Sequence, residues 1–181
     1  MMEYIFSDQQ RKIAIEAQII IQGCFYRQLS WLSKEAGGIL IGREVISTNN
    51  LIIDQMTEPM PRDKRNRFRF LRRDNGHIEY FEQLYCENEN IYGYVGEWHT
   101  HPEKVPSYSD IDYREWDKIV REKPGNMPIY CLIFGTEKWR VWKVEASHKP
   151  EMIYENDCIT NLESWRKERN CFKEQKDMES V

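Results

Sequence analysis

Two of the four histidines in this chain stand at positions 99 and 101, inside Gly96-Glu97-Trp98-His99-Thr100-His101-Pro102. The run from Ile91 to His101 is rich in aromatic and β-branched residues and reads as a strand. Side chains on a strand alternate between faces, so His99 and His101 point the same way. Two imidazoles at that spacing can meet one metal ion at about 2.0–2.1 Å. Pro102 ends the strand and leaves the pair at its edge. Ser109 follows where the next helix should begin, with Asp112 in its first turn. A carboxylate there can supply a third ligand. Two histidines and one acid suit Zn²⁺ and leave a fourth position for water, whose pKa the metal would lower towards about 7 while polarising a substrate carbonyl.

Such chemistry also needs a base. Glu35 precedes Gly37-Gly38, a pair that permits close backbone approach, and could move a proton from water to a leaving amine. Ser109 could donate a hydrogen bond to a developing oxyanion. Other readings of these residues stand beside the catalytic ones. Ser109-x-x-Asp112 is a capping box, which needs no metal and would also fix Asp112. Glu97 shares the face of His99 and His101 by alternation. It could orient a ligand imidazole, act as a rival base, or sit in a buried salt bridge. Trp98 points the other way, into the core, and Cys131 lies in an apolar strand. His77 reads as a helix-start residue. The seven basic residues within 62–73 fit either recognition of an acidic partner or a solvated strand face.

The elements that must hold these residues can be drawn from pattern. Ser7 can cap a helix over 8–24 that carries Ile13, Ala17, Ile20, Ile21 and Cys24 at helical spacing. Residues 39–41 and 51–53 read as paired strands joined through Asn49-Asn50. Phe68 and Phe70 alternate with Arg67 and Arg69 as a half-buried strand. Asn75-Gly76 marks a turn before a helix over 77–86. Residues 102–108 form a loop and 109–122 a helix, stopped by Pro124-Gly125. Residues 129–134 and 139–144 make a buried hairpin. The order predicts an α/β domain, a mixed β-sheet flanked by helices, over residues 1–150. Residues 151–181 read as a charged, helical C-terminal tail.

Composition narrows the function classes. The 181 residues suit one domain, and a net charge of −4 argues against a general nucleic-acid binder. Cysteines at 24, 86, 131, 158 and 171 form no C-x-x-C pair and are odd in number, so neither a thiolate zinc site nor a disulfide framework is expected. The first residues lack the basic start and apolar run of a signal peptide, and no stretch approaches the ~20 apolar residues that span a bilayer. A cytoplasmic location with no membrane partner is the consistent expectation.

Taken together, His99-Thr100-His101, seven residues, then Ser109-Asp110-Ile111-Asp112 resembles the JAMM signature, H-x-H-x7-S-x2-D. Glu35-Ala36-Gly37-Gly38-Ile39-Leu40-Ile41-Gly42 resembles that family's upstream glutamate segment. The likeness spans roughly residues 8–146 and departs at no catalytic position. It implies a cytidine-deaminase-like JAB/MPN fold and one catalytic Zn²⁺ held by His99, His101 and Asp112. Glu35 would be the base. The reaction would be cleavage of amide bonds after the carboxyl terminus of ubiquitin or a ubiquitin-like protein. Phe68-Arg69-Phe70-Leu71-Arg72-Arg73-Asp74, His77 and Tyr94 to Glu103 are similar to a bacterial branch in CBASS anti-phage operons. Members of that branch cut conjugates between a cyclic-nucleotide synthase and its targets, made by a neighbouring E1–E2-like enzyme. A deubiquitinase of a bacterial ubiquitin-like operon, a sulfur-carrier-processing peptidase and a non-catalytic MPN scaffold remain as alternatives.

Overall fold

Lys12-Ile13-Ala14-Ile15-Glu16 is apolar at every second position, and in the computed structural model, which describes residues 3–160, Ile13 and Ile15 are fully buried. They lie in a strand, β2 (Lys12–Glu16), which forms a hairpin with β1 (Glu3–Ser7). Asp8 Oδ1 closes the turn by accepting from the Gln10 and Arg11 amides at 3.1 and 2.9 Å, while Gln9 takes a φ of 72°. The helix expected over 8–24 is therefore corrected: α1 is Ala17–Phe25, and Ser7 caps nothing. Helical spacing and strand alternation both fit Ile13 to Ala17, and Asp8 decides for the strand by capping a turn instead of a helix.

The chain continues through β3 (Gly37–Val45), β4 (Asn50–Met56), β5 (Lys64–Asn66), β6 (Arg69–Leu71) and α2 (Gly76–Glu87). Then come β7 (Tyr92–Thr100), α3 (Asp110–Glu122), β8 (Ile129–Phe134), β9 (Lys138–Val144) and β10 (Glu151–Asp157). Eight strands form one sheet in the order β1-β2-β4-β3-β7-β8-β9-β10. The pairs β2–β4 and β7–β8 are parallel and the others antiparallel, so the expected mixed sheet is present. Its two edges curl towards each other, with Phe6 stacked on Tyr154 at 4.5 Å.

Helix α1 covers one face, its Ile19 and Ile20 joining Leu40, Trp98, Leu132 and Phe134 in the larger core. Helix α3 covers the other, where Trp116 and Val120 pack with Ile129, Cys131, Ile133 and Trp142. Aliphatic side chains buried this deeply contribute about 1.5–3 kcal/mol each. Trp98 and Cys131 are core residues, as their positions on the strands imply.

Two further expectations change. Residues 151–157, assigned to a helical tail, form β10 against β9, so the sheet runs past residue 150. The remaining tail, from 161 to 181, lies outside the described residues. Phe68 does not share a strand face with Phe70. It tops the turn of the small β5–β6 hairpin and is exposed, while Phe70 is half-buried.

Candidate metal centre

Strand β7 runs beside β8 in parallel, with His99 opposite Ile133, and the His101 amide donates to Phe134 O at 2.9 Å. Both imidazoles are thus fixed on the α3 side of the sheet, where His99 sits 6.0 Å from the Trp116 ring. Their Nε2 atoms face each other at 3.0 Å. Helix α3 points its first turn at them. Asp112 Oδ1 lies 3.4 Å from His99 Nε2, and Oδ2 lies 3.5 Å from His101 Nε2. Ligands held tetrahedrally at about 2.0–2.1 Å are themselves about 3.3–3.4 Å apart. The three donors stand at nearly that spacing, so the residues fit a divalent cation of zinc's size.

Charge leads to the same conclusion. Burial pushes His101 down to about 4, and the neighbouring His99 adds to the effect. Burial also opposes protonation of His99, but the Asp112 carboxylate outweighs it and raises that group. Burial raises Asp112, yet the charge of His99 and hydrogen bonds from His99 and Ser109 hold it well below the usual carboxylate range. Two imidazole nitrogens 3.0 Å apart cannot both carry protons, so at least one of the facing Nε2 atoms presents a lone pair.

Ser109 and Asp112 form the capping box read from the sequence. Ser109 Oγ accepts from the Asp112 amide at 3.2 Å and donates to Asp112 Oδ2 at 2.8 Å, and the Ser109 amide donates to the same oxygen at 2.7 Å. The hydroxyl is therefore engaged with Asp112, and an oxyanion role requires it to leave that bond.

Glu35 approaches from the opposite side, on the loop before β3. Its Oε1 lies 4.0 Å from His99 Nε2 and 3.8 Å from His101 Nε2. Glu35, His99 and His101 each present a ligating atom within 4.8 Å of the others. Burial drives the Glu35 carboxyl up to about 7; His99 lowers it and Asp112 raises it further. Gly37 lets this segment approach, since a Cβ there would stand 2.6 Å from both the Phe70 ring and Trp98 O. Backbone bonds then lock it: the Glu35 amide donates to Asn66 O at 2.7 Å, and the Ala36 amide donates to Thr100 Oγ1 at 2.9 Å.

Glu97 lines the same cleft, but its Oε1 accepts from Arg72 Nε and Nη2 at 3.3 and 3.1 Å. The salt bridge that was one reading of Glu97 is formed, with Arg72, and is part-buried. Pattern reading missed the hairpin's part in the site. Arg65 Nε donates to Glu35 O at 2.7 Å, and Arg72 holds Glu97. The sequence signal was present in the basic residues of 62–73, which showed charge but not direction. His77 does start α2, yet it is fully buried, with Nε2 at 2.9 Å from Asp63 Oδ2 and Nδ1 at 2.6 Å from Thr57 Oγ1.

Comparison with known proteins accords with this geometry. Residues 21–166 match the family described as prokaryotic homologs of the JAB domain. A protein of Escherichia coli strain TW11681 named CD-NTase/cGAS isopeptidase is 34% identical over 136 residues, covering 75% of this chain and 84% of its own length. A protein of the same name from Vibrio cholerae serotype O1 is 32% identical over 144 residues, covering 79% and 89%. The solution structure of a Desulfitobacterium hafniense protein has a similar fold, with a TM-score of 0.52 at 16% identity, covering 78% of this chain and 91% of that one. With its family match spanning most of the chain and relatives at about a third identity, the chain belongs to the prokaryotic JAB-domain family.

Proposed function

We propose that this protein is a zinc-dependent isopeptidase that releases a cyclic-nucleotide synthase of the CD-NTase class from its conjugates in CBASS anti-phage defence. The relatives' names support the substrate class. The observation that carries the chemistry is Glu35, a buried carboxyl set 3.8–4.0 Å from both imidazole Nε2 atoms. A carboxylate held that close to the imidazoles is within reach of a water between them and can accept a proton and return it.

His99, His101 and Asp112 would hold one Zn²⁺, and the chemistry it would supply there is a more acidic water and a polarised carbonyl. Glu35 Oε1 takes a proton from the water that adds to the carbonyl carbon and delivers it to the lysine Nζ as the isopeptide C–N bond breaks. Ser109 fixes Asp112 and, on turning its hydroxyl outward, donates to the carbonyl oxygen. The Trp116 ring shields His99 from bulk water. The E1–E2-like conjugating enzyme that would make the substrate is a functional neighbour rather than a part of this site.

The test is cleavage of a CD-NTase joined through its carboxyl terminus to a lysine side chain, by full-length protein. Release of both proteins, lost with chelator and restored by Zn²⁺, is expected. A zinc-replete preparation that leaves the conjugate intact rules the reading out.

A further inference from the structure

Leu29, Trp31, Leu32 and Phe68 are 69%, 76%, 74% and 76% exposed, and they belong to two segments bonded to each other. Arg67 Nη1 donates to Ser30 O at 2.9 Å and to Trp31 O at 2.7 Å, and its guanidinium lies 5.7 Å from the Phe68 ring centroid. Gln28, itself buried, donates from Nε2 to Arg67 O at 2.8 Å and to Ser33 O at 3.3 Å. The loop is therefore pinned, and its apolar side chains are displayed on a braced support. Grouped apolar exposure of this kind marks interaction surfaces on soluble proteins.

Two observations indicate the occupant. The first is charge. The chain carries a net −4, yet residues 28–34 and 64–73 contain no Asp or Glu and seven Lys or Arg. Arg65 and Arg72 turn inward to Glu35 O and Glu97, and Arg67 braces the loop, while Lys34, Lys64 and Arg69 are exposed on the same two segments. The second is continuity. Leu32 stands three residues before Glu35, and the hairpin that carries Phe68 also lines the cleft with Arg69 and Phe70. A macromolecule whose linked end enters that cleft must pass over this surface. The aliphatic share of the patch, Leu29 and Leu32, suits a folded protein better than stacked bases.

We propose that Leu29, Trp31, Leu32 and Phe68, rimmed by Lys34, Lys64 and Arg69, form the docking surface for the folded body of the conjugated protein, at a patch of that protein with an apolar centre and an acidic rim. The assignment rests on the isopeptidase reading above and adds a recognition surface separate from the reacting groups.

The test compares two substrates in full-length protein. One is the folded CD-NTase joined to a fluorescent reporter through its carboxyl terminus; the other is a peptide of its last residues joined to the same reporter. Trp31→Ser/Leu32→Ser should lower kcat/KM on the folded conjugate by roughly ten- to a hundredfold, mainly through KM, and leave peptide cleavage unchanged. Raising salt should raise KM for the folded conjugate alone. Equal losses on both substrates, or no loss on either, overturn the proposal. So does wild-type self-association abolished by the same double substitution, which makes the patch a contact between copies. Binding of a single-stranded oligonucleotide that Trp31→Ser removes overturns it in favour of nucleic acid. If the wild type cleaves neither substrate, the isopeptidase reading fails. The patch is then judged by calorimetric binding of the CD-NTase to Glu35→Gln protein with and without the double substitution, and unaltered binding overturns it.

Discussion

The two walls of the cleft are built on different principles. On one wall, His99 and His101 come from a central strand and Asp112 from the first turn of a capped helix, so regular structure sets their positions. On the other, Glu35 stands on a loop, and its position depends on a hairpin some thirty residues later in the chain: Asn66 accepts its amide, and Arg65 holds its carbonyl. The metal wall is set by short spacings in the chain. The base wall is assembled from long-range bonds, to the hairpin and, through Ala36, to Thr100 of the metal strand, so perturbations of the hairpin should spare the metal wall.

The largest expected effect is on the metal wall. His101→Ala removes one of the three proposed ligands, and both bound zinc and turnover should be lost. Metal analysis after dialysis without chelator, beside cleavage of the conjugate, reads this directly. A zinc-replete, active variant would break the assignment of this wall.

Glu35→Gln should leave zinc in place and slow turnover by about 10²–10⁴-fold. It also carries a stability signature in metal-free protein. The folded carboxyl is raised to about 7 by burial, so the stability it contributes is fully present below its unfolded value and is lost as pH rises through 7. That loss amounts to roughly 3 kcal/mol at most. Metal-free Glu35→Gln should therefore melt above metal-free wild type at pH 8, and the gap should close near pH 5. Zinc should also narrow the gap, because a cation beside the carboxylate favours its charged form. A gap that widens on acidification would mean that burial is not what governs Glu35.

The same contrast explains what could be read in advance. The gathering of His99, His101 and Asp112 was legible because the spacings are short and each has a mechanical cause: alternation aligns His99 with His101, and a capping box announces the helix that carries Asp112. The mixed sheet followed from the run of strands and helices. Residues 12–16 misled because their apolar positions satisfy two periods at once, and the turn at Asp8 was the deciding clue. β10 was missed because Glu151–Asp157 is a half-buried edge strand whose polar residues resemble a tail. The hairpin's grip on Glu35 was not legible at all. It is made by backbone groups and arginine heads, and no pattern within 62–73 says which arginine turns inward.

Ser109 belongs to the metal wall, and its removal should separate stiffness from catalysis. As a cap, its loss costs about 0.5–2 kcal/mol of stability. As an oxyanion donor, its loss costs about 10²–10³ in kcat. Both effects are expected of Ser109→Ala on zinc-loaded protein, read by melting and by single-turnover cleavage. The hydroxyl donates to Asp112 Oδ2, so a variant that melts lower yet cleaves at the wild-type rate would leave Ser109 as a brace for Asp112 alone.

The smallest effect, and the sharpest test of the base wall, concerns His77. Asp63 accepts amides from Met60, Arg73 and Asp74, which ties together the two ends of the segment bearing the hairpin. Burial works against the Asp63 charge, but these donors outweigh it and hold the carboxyl below its usual value, so it is an ionised acceptor. His77 Nε2 must then donate to Asp63, leaving Nδ1 to accept from the Thr57 hydroxyl, whose oxygen in turn accepts from the Ile39 amide of β3 at 2.9 Å. This chain of bonds fastens the hairpin segment to the strand that follows Glu35. His77→Gln can keep a donor at the Nε2 position, whereas His77→Asn can keep only the acceptor side. Leaving buried Asp63 without this partner should cost about 1–3 kcal/mol in the Asn variant and less in Gln. Turnover should fall several-fold in Asn with zinc content unchanged, and Gln should recover most of it. Amide exchange across residues 64–72 should speed up in step. If Asn melts lower while turnover and exchange stay at wild-type values, the hairpin holds Glu35 without His77, and the base wall is stiffer than its long-range assembly implies.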